Sequence, residues 1–292
     1  MSAENFDKKI PIVVTGVNGY VSQHVTKLLL ENGYKVKGTV RSLANKQKYE
    51  FLYNLTPDAK DKIQFIEANL NDNKVWDDIL KGAQAVLHVA SPVPFEGLPD
   101  EEMIKAAVDG MKAITQAALK NGVKKLIYTS SIVTQVKGFG KKGEHVTANN
   151  WADPETLDGY AKSKYYAEKE LWNFYSQNKG KIDVVTVLPS IVAGPILGNG
   201  NISSMGIIKE FLGQVPGYLK EDSVFPISKV SDLALVHFRA LESKTATGKR
   251  FIGNSHNLTT KYILKLLDNT FSKEGYTVNN REATLEEMQK AA

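Results

Sequence analysis

Residues 10–22 read Ile10-Pro-Ile-Val-Val-Thr15-Gly16-Val-Asn-Gly19-Tyr20-Val-Ser22. The apolar, β-branched first half is typical of a buried strand, and the glycines predict a tight turn after it. Apolar residues then recur at helical spacing from Val21 to Leu29, and Asn32-Gly33 predicts the end of that helix. A second apolar strand follows over residues 34–40. The chain therefore opens with a β-turn-α-β unit.

The alternation of strand and helix continues through most of the chain. Further apolar strands are predicted over residues 63–67, 85–89, 125–129 and 183–188, and helices over 45–55, 74–80, 102–120 and 159–178. Strands that are apolar throughout and alternate with helices are typical of a parallel sheet covered on both faces. The predicted fold class is α/β, a Rossmann-type doubly wound parallel sheet that occupies residues 10–190.

The pattern changes after residue 190, where glycine and proline become frequent. A helix over 230–241, a strand over 250–252 and a helix over 260–271 follow, with Ser231-Asp232 as the candidate cap of the first helix. We predict that residues 191–292 form mainly a small C-terminal substrate lobe, with segments that return to the Rossmann domain. Residues 1–9 are polar and charged and are predicted to be a flexible N-terminus.

Composition narrows the possible functions. The 292 residues include no cysteine, which excludes disulfides, thiolate metal sites and cysteine nucleophiles and suits a reducing, cytoplasmic location. No apolar run approaches the roughly 18 residues of a membrane span. The net charge is +5 but the lysines are scattered, so neither nucleic acid nor membrane is expected as a partner. The five histidines show no metal-ligand spacing, and the sequence leaves monomer and dimer open.

The glycine turn has the features of a dinucleotide site. Gly16 permits a tight turn, and Gly19 lets the backbone approach a pyrophosphate at the N-terminus of the following helix. The second strand ends in Arg41 rather than in an acidic residue that would bind a ribose hydroxyl. A guanidinium suits the 2′-phosphate of NADPH/NADP+, and Lys46 is a second candidate cation. The alternative interpretation is an ordinary exposed arginine after a strand.

Two Tyr-x-x-x-Lys pairs occur in the helix predicted over 159–178, namely Tyr160 with Lys164 and Tyr165 with Lys169. Residues four apart lie on the same face of a helix, so each pair brings an ammonium near a phenol. A nearby positive charge favours phenolate, which predicts a lowered tyrosine pKa and a group able to exchange a proton with a carbonyl or alcohol oxygen. The alternative interpretation of the spacing alone is a solvated helix face, and only the rest of the chain can favour the functional one.

Six motifs carry a family resemblance: Thr15-Gly-Val-Asn-Gly-Tyr20, Gly38-Thr-Val-Arg-Ser42, His88-Val-Ala-Ser-Pro92, Tyr128-Thr-Ser-Ser131, Tyr160-Ala-Lys-Ser-Lys-Tyr-Tyr-Ala-Glu168 and Pro189-Ser-Ile-Val-Ala-Gly-Pro195. Together they resemble the extended short-chain dehydrogenase/reductases. The chain is most similar to the group of dihydroflavonol reductase, cinnamoyl-CoA reductase and the fungal NADPH-dependent methylglyoxal (ketone/aldehyde) reductases. The family motif Tyr-x-x-Ser-Lys-x-x-Ala-Glu fits Tyr160 with Lys164. The resemblance implies Ser131, Tyr160 and Lys164 as catalytic residues and leaves Tyr165 to packing.

The resemblance also implies the cofactor contacts. Gly16, Asn18, Gly19, Tyr20 and Val21 would line the pyrophosphate, Asn69 and Leu70 would flank adenine, Val89, Ala90 and Ser91 would pass beneath the cofactor, and Pro189, Ile191 and Ser203 would meet the nicotinamide half with Tyr160 and Lys164. The family usually has Asp where this chain has Asn69, whose amide keeps an acceptor without the charge. The family's C-terminal lobe is usually longer, so closure over the substrate is the least constrained expectation.

The implied reaction is hydride transfer from NADPH to the carbonyl carbon of a small-to-medium aldehyde or ketone. Tyr160 would donate the proton, Lys164 would lower the pKa of Tyr160 and hold the nicotinamide ribose, and Ser131 would orient the substrate oxygen. An apolar pocket wall or plain core is expected for Val93, Phe95, Ile132, Phe139 and Met205. The alternatives are a hydroxysteroid or alcohol dehydrogenase, a sugar-nucleotide epimerase, and, from another class, a non-catalytic NADP(H)-sensing protein.

Overall fold

The computed structural model describes residues 6–70, 72, 74–91, 99–136, 143, 145–198, 206, 211–212, 224–276 and 278. The strands are β1 Ile12–Val14, β2 Val36–Val40, β3 Ile63–Glu67, β4 Ala85–His88, β5 Lys125–Thr129, β6 Asp183–Pro189, β7 Ile191–Ala193, β8 Val224–Lys229, β9 Lys249–Gly253 and β10 His256–Thr259. The α-helices are α1 Tyr20–Glu31, α2 Ala59–Lys62, α3 Trp76–Leu80, α4 Asp100–Lys120, α5 Gly159–Gln177, α6 Val230–Glu242 and α7 Thr260–Phe271.

Seven strands form one parallel sheet in the order β3-β2-β1-β4-β5-β6-β9 within the described residues. Every neighbouring pair in this sheet is parallel. The strand order reverses at β1, which pairs with β2 on one side and with β4 on the other. The prediction of a doubly wound Rossmann-type α/β sheet is confirmed. In such sheets ligands bind beyond the carboxyl ends of the strands at this reversal point.

Apolar side chains cover both faces of the large sheet. On one face α1 and α6 pack against it through residues such as Leu29 and Leu233, and on the other α4 and α5 pack through Ile114 and Leu171. These four side chains are no more than 1% exposed. Burying an aliphatic side chain of this size stabilises the fold by about 1.5–3 kcal/mol. The two layers hold the carboxyl edge of the sheet in a rigid setting.

A second, smaller sheet has the strand order β10-β8-β7 and is not predicted by the sequence. Strand β8 runs antiparallel to β10 and parallel to β7. The three strands of this sheet are short. Pro226 lies inside β8, where it is paired with Asn257. Proline inside an apolar run argues against a strand when only the sequence is read. Strand β9, in contrast, returns to the large sheet and pairs with β6.

Two local predictions are wrong. The helix predicted over 45–55 consists of two 3-10 segments, Lys46–Lys48 and Glu50–Asn54. Tyr49 separates them with a φ of −139°, and the centre of its ring lies 4.5 Å from that of Phe65.

The predicted cap Ser231-Asp232 lies inside the first turn of α6, which starts after Lys229 and has no side-chain cap. The Asp232 carboxylate instead accepts a hydrogen bond from the Ser255 hydroxyl at 3.1 Å. This bond ties α6 to the chain that follows β9.

Part of the segment predicted to be flexible is anchored to the sheet. Phe6 is 4% exposed. The backbone N–H of Asp7 donates to Oε1 of the buried Gln84 at 2.9 Å, and the Gln84 amide donates back to the carbonyls of Asp7 and Ile10. Phe6 is therefore buried, and the Asp7 backbone is held, at the edge opposite the carboxyl ends of the strands. Within the described ranges, none of the helices combines the length and hydrophobicity that crossing a membrane requires.

Gly38 on β2 makes room for the glycine turn. A Cβ built on Gly38 would lie 2.7–2.9 Å from three atoms of the Val17 side chain, closer than real side chains pack. We expect Gly38→Ala to lower the free energy of unfolding by about 1–3 kcal/mol, the usual cost of overpacking. Urea denaturation measures this value.

The matched control is Gly110→Ala in α4, where the new Cβ would meet its nearest atom, the Leu70 carbonyl oxygen, at an ordinary 3.6 Å. Replacing glycine inside a helix stabilises by about 0.5–1 kcal/mol, so the control should gain stability. Equal stability of Gly38→Ala and the unsubstituted protein would contradict the packing argument.

Candidate active site

The glycine turn after β1 is held from both neighbouring strands. The Gly16 N–H donates to Thr39 Oγ1 at 2.9 Å, and the Val17 N–H donates to the Thr39 carbonyl at 2.9 Å. On the other side the Ala90 N–H donates to Thr15 Oγ1 at 3.0 Å. Gly16 has φ +58°, and a Cβ there would lie 2.9 Å from the Ala90 Cβ. The turn and residues 89–91 thus lie side by side at the reversal point of the sheet.

The N-terminus of α1 fits a bound pyrophosphate. Gly19 precedes the helix without a side-chain cap, and the first turn carries no acidic residue. With neither a side-chain cap nor an acidic residue in its own first turn, the helix offers its first N–H groups and its positive dipole end to an anion. The Tyr20 hydroxyl donates to the Gly194 carbonyl at 2.7 Å, so its side chain also fastens the chain that follows β7.

Arg41 and Lys46 lie beyond the carboxyl end of β2 and are exposed. The loop between them is anchored by β3, because the Leu43 N–H donates to Glu67 Oε2 at 2.8 Å. Asn69 and Leu70 follow β3 at the same edge of the sheet. The four residues that the sequence assigns to the adenosine half of a cofactor therefore lie on two adjacent strand ends.

Ser131, Tyr160 and Lys164 meet at the carboxyl end of β5. The Ser131 hydroxyl interacts with that of Tyr160, and this interaction lowers the pKa of the phenol. The Lys164 ammonium, one turn along α5, donates to the Thr129 carbonyl at 2.9 Å and lies 5.2 Å from the centre of the Tyr128 ring. Asp158 caps α5 by accepting from the Ala161 N–H at 2.8 Å, which fixes the helix start just before Tyr160.

The second Tyr-x-x-x-Lys pair lies elsewhere. The Tyr165 ring packs edge-on against Trp151 at 5.4 Å, and Lys169 lies 3.7 Å above the same Trp151 ring. The spacing of Tyr165 and Lys169 is therefore used for packing against an indole. Only Tyr160 and Lys164 share the strand end with Ser131 among the described residues.

The pKa of Tyr160 is raised from its ordinary value, which corrects the prediction that Lys164 lowers it. Tyr160 is 37% exposed as a residue, yet desolvation of its phenol is the largest cause and the Asp158 charge adds to it, while the interaction with Ser131 acts in the opposite direction. Burial also lowers the pKa of Lys164 to about 8, against an attraction to Glu168. An amine that loses its proton near pH 8 is neutral before a phenol with a raised pKa ionises, so it provides little charge to stabilise phenolate.

Two buried histidines support this arrangement, and the sequence predicts only packing or surface roles for them. His88 Nδ1 lies 3.0 Å from Thr15 Oγ1, and its ring stacks on Tyr128. Burial first, and the Lys164 charge second, lower the pKa of His88 to about 3. His237 on α6 has Nε2 2.8 Å from Thr129 Oγ1 and Nδ1 2.8 Å from the Leu233 carbonyl.

Burial lowers the pKa of His237 to about 4, so this ring is neutral near pH 7. Because the Leu233 carbonyl can only accept, His237 Nδ1 carries the proton and the Thr129 hydroxyl donates to Nε2. Thr129 is therefore held by α6 through its side chain while its carbonyl holds Lys164. Nothing in the spacing of His237 indicates this role, since the contact spans 108 positions.

Some of the remaining residues assigned from the sequence lie within the part of the chain that the structure describes, and others lie outside it. Val89, Ala90 and Ser91 are partly buried next to the glycine turn, Pro189 ends β6, and Ile191 begins β7. Ile132 is 8% exposed, which favours core over pocket wall. Outside the described residues lie Ser203, Val93, Phe95, Phe139 and Met205.

Lys164 costs the protein stability at neutral pH. A pKa of about 8 instead of 10.5 for this buried side chain corresponds to about 3 kcal/mol of unfavourable free energy in the charged form. The bond to the Thr129 carbonyl offsets about 1 kcal/mol. We expect Lys164→Met to raise the free energy of unfolding at pH 7 by about 1–2 kcal/mol.

The sign of the pH dependence follows from proton counts. Between about pH 8 and 10.5 the unfolded chain holds the Lys164 proton and the folded chain does not, so the stability of the unsubstituted protein rises with pH. The advantage of Lys164→Met is therefore complete below pH 8 and lost as the pH approaches 10.5. Urea denaturation at several pH values measures it, and a variant less stable at pH 7 would contradict the burial cost.

Comparison with known proteins gives one consistent result. A family model described as the NAD dependent epimerase/dehydratase family matches residues 12–252. A bifunctional dihydroflavonol 4-reductase/flavanone 4-reductase of Malus domestica is 32% identical over 271 residues, 88% of this chain and 75% of the relative. An anthocyanidin reductase of Arabidopsis thaliana is 33% identical over 278 residues, 89% of this chain and 80% of the relative.

Solved structures agree with the sequence relatives. The NADPH complex of Gre2 from Candida albicans superposes with a TM-score of 0.79 at 27% identity, covering 96% of this chain and 88% of that one. Vestitone reductase from alfalfa superposes with a TM-score of 0.75 at 28% identity, covering 97% of this chain and 87% of that one.

Proposed function

Because this chain belongs to the NAD dependent epimerase/dehydratase family and so confirms its resemblance to the extended short-chain dehydrogenase/reductases, we propose that it is an NADPH-dependent carbonyl reductase. The observation that carries the proposal is the convergence of Ser131, Tyr160 and Lys164 at the carboxyl end of β5. Two hydroxyls and an amine at the carboxyl edge of the sheet are what protonating a carbonyl oxygen requires.

The cofactor assignment rests on two features at the carboxyl edge of the sheet. The uncapped N-terminus of α1 suits the pyrophosphate, and Arg41 after β2 suits a 2′-phosphate. The similar Gre2 of Candida albicans was crystallised with NADPH. NADPH supplies the hydride when it is bound, and the protein supplies position and the proton.

The raised pKa of Tyr160 matches the direction of the proposed reaction. A phenol whose pKa lies above its ordinary value is protonated at neutral pH, so it enters the reaction as an acid. Reduction consumes that proton at the carbonyl oxygen, whereas alcohol oxidation would first need phenolate. The proposed roles are proton donor for Tyr160, orientation of the substrate oxygen for Ser131, and the nicotinamide ribose contact for Lys164. We therefore favour reduction near neutral pH.

The proposed substrate is a small-to-medium aldehyde or ketone. The two sequence relatives are reductases of flavonoid compounds by name, which supports an organic carbonyl compound as the substrate. The cysteine-free composition suits a reducing compartment, so a cytoplasmic location is part of the proposal. Monomer and dimer both remain compatible with it.

The test is NADPH oxidation at 340 nm against a panel of aldehydes, ketones, flavonoid ketones and hydroxysteroids, with sugar nucleotides as a separate arm. Turnover of aldehydes or ketones with NADPH is the expected result. Conversion of a sugar nucleotide without net cofactor oxidation would favour an epimerase instead. Tight NADPH binding without turnover in any arm would favour a non-catalytic sensor and overturn the proposal.

A further inference from the structure

Arg250 on β9 forms a buried ion pair with Glu168 on α5. Arg250 Nε lies 2.8 Å from Glu168 Oε1, and Arg250 Nη2 lies 3.3 Å from Glu168 Oε2. The arginine side chain is 8% exposed and the carboxylate is fully buried. Glu168 lies one helical turn after Lys164, so the ion pair begins directly behind the candidate active site.

The Glu168 carboxylate accepts hydrogen bonds from hydroxyl groups that lie before and after Ser131 in the sequence. Ser130 Oγ donates to Glu168 Oε2 at 2.6 Å, and Thr134 Oγ1 donates to the same oxygen at 2.9 Å. The Thr186 hydroxyl and the Trp172 indole N–H donate to Oε1 at 3.0 and 3.1 Å. The residues that flank Ser131 in the chain are thus fastened to a single carboxylate.

Arg250 reaches the segment that leads to Tyr160. Its Nη1 donates to the carbonyls of Ala148 and Asn150 at 2.8 and 2.6 Å, and its guanidinium lies 3.8 Å from the Trp151 ring centre. A third bond, from Nη2 to Thr134 Oγ1 at 3.0 Å, returns to the Ser131 side. One guanidinium therefore links the segment that precedes α5, the helix α5 itself through Glu168, and Thr134, three residues after Ser131.

A buried ion pair is a poor source of stability, because desolvating the two charges costs about as much as their attraction returns. This pair instead makes many hydrogen bonds to two short segments, residues 130–134 and residues 148–150. Such a network selects one geometry for the groups it holds, since breaking any bond would leave a buried polar group unpaired.

We propose that Arg250 and Glu168 are positioning residues that hold the Ser131 hydroxyl beside the Tyr160 hydroxyl. The inference rests on the proposed function for its catalytic consequence, but the hydroxyl geometry can be tested without turnover. Arg250 has no described contact with the glycine turn or with Arg41, so cofactor binding should not depend on it.

The network should be visible in the titration of Tyr160. The groups that act on the Tyr160 phenol are Asp158 at the start of its helix, Tyr128 on β5 and Ser131, with Lys164 one turn along α5. The interaction with Ser131 lowers the pKa of Tyr160. A looser network weakens that interaction, so the pKa of Tyr160 should rise and alcohol oxidation, which needs phenolate, should require a higher pH.

The first experiment compares Arg250→Lys with Arg239→Lys, the same exchange outside the network. Lysine keeps the positive charge opposite Glu168 but cannot hold all three directions of the guanidinium fork. We expect Arg250→Lys to lower kcat for reduction by about 10- to 100-fold, since small misplacements of catalytic groups cost this much, with little change in NADPH affinity. Arg239→Lys should leave both unchanged.

A second pair of variants guards against misfolding of Arg250→Lys. Thr134→Val removes the hydroxyl that Glu168 and Arg250 share, while Thr134→Ser retains it. The valine variant should lose kcat and the serine variant should recover it at unchanged NADPH affinity. Loss in both, or in neither, would overturn the positioning role.

Tyr160 is also titrated directly by NMR of protein labelled with 13Cζ-tyrosine, its signal assigned with Tyr160→Phe. A higher Tyr160 pKa in Arg250→Lys and Thr134→Val, but not in the control variants, is the expected result. An unchanged pKa would overturn the inference even if the enzyme is active. A shifted pKa in a protein that reduces no carbonyl compound would support the network and reject the proposed function alone.

Discussion

Tyr160→Phe is expected to lower kcat for carbonyl reduction by about 10²–10⁴-fold, the usual contribution of a positioned general acid. The substitution removes one hydroxyl and keeps the ring, so the packing of α5 should be retained. Among the three groups at the end of β5, Tyr160 alone combines a proton available at neutral pH with an interaction with the Ser131 hydroxyl. Loss of the hydroxyl leaves hydride transfer without a proton donor in place.

Steady-state NADPH oxidation with the best carbonyl substrate measures the effect, and NADPH fluorescence titration measures binding separately. Tyr165→Phe is the matched control, because the same atom is removed from the same helix while the Tyr165 ring packs against Trp151. The control should retain nearly full activity. A Tyr160→Phe protein with a rate close to that of the unsubstituted enzyme would rule out the acid role.

We expect Arg41→Asp to lower the preference of the protein for NADPH over NADH. A charge-assisted hydrogen bond to a 2′-phosphate contributes about 1.5–3 kcal/mol, and each 1.4 kcal/mol is tenfold in affinity, so NADPH affinity should fall about 10- to 100-fold. NADH lacks that phosphate, and an aspartate after β2 can accept from its ribose hydroxyl. The affinity for NADH should therefore stay the same or increase. The ratio of NADPH affinity to NADH affinity should fall by at least the same factor as the NADPH affinity.

Dissociation constants for both cofactors, measured at one ionic strength, give the ratio. Lys48→Asp reverses a charge on the same exposed stretch, in the 3-10 segment Lys46–Lys48, and controls for the general field of the loop. It should weaken NADPH binding only slightly. An unchanged ratio in Arg41→Asp would remove Arg41 from the 2′-phosphate site and reopen the assignment of NADP.

Several features could be read from local pattern because local physics produces them. The strands Ile63–Glu67 and Lys125–Thr129 and the helix Thr260–Phe271 occur where they were predicted, since each has a clear apolar period. The glycine turn was also predicted correctly, because Gly16 takes the positive φ that favours glycine. The small sheet and the break at Tyr49 were missed, as both depend on distant partners.

The site divides in the same way. The family motif chose Tyr160 with Lys164 over Tyr165 with Lys169, and the structure places only the first pair beside Ser131. The predicted sign of the pKa shift was wrong, because spacing reveals the charge near a phenol but not how deeply either group is buried. Burial outweighs the neighbouring amine here.

By itself the sequence determined the α/β class, the glycine turn, the arginine after β2 and the spacing of Tyr160 and Lys164, since each of these is a pattern among residues close to one another along the chain. The sequence predicted that segments after residue 190 return to the Rossmann domain, but the tertiary structure alone decided that β9 pairs with β6 and that Arg250 meets Glu168 across 82 positions. It also decided the protonation of Tyr160 and Lys164. Long-range contacts and desolvation depend on which segments fold over one another, and no local pattern of residues encodes that.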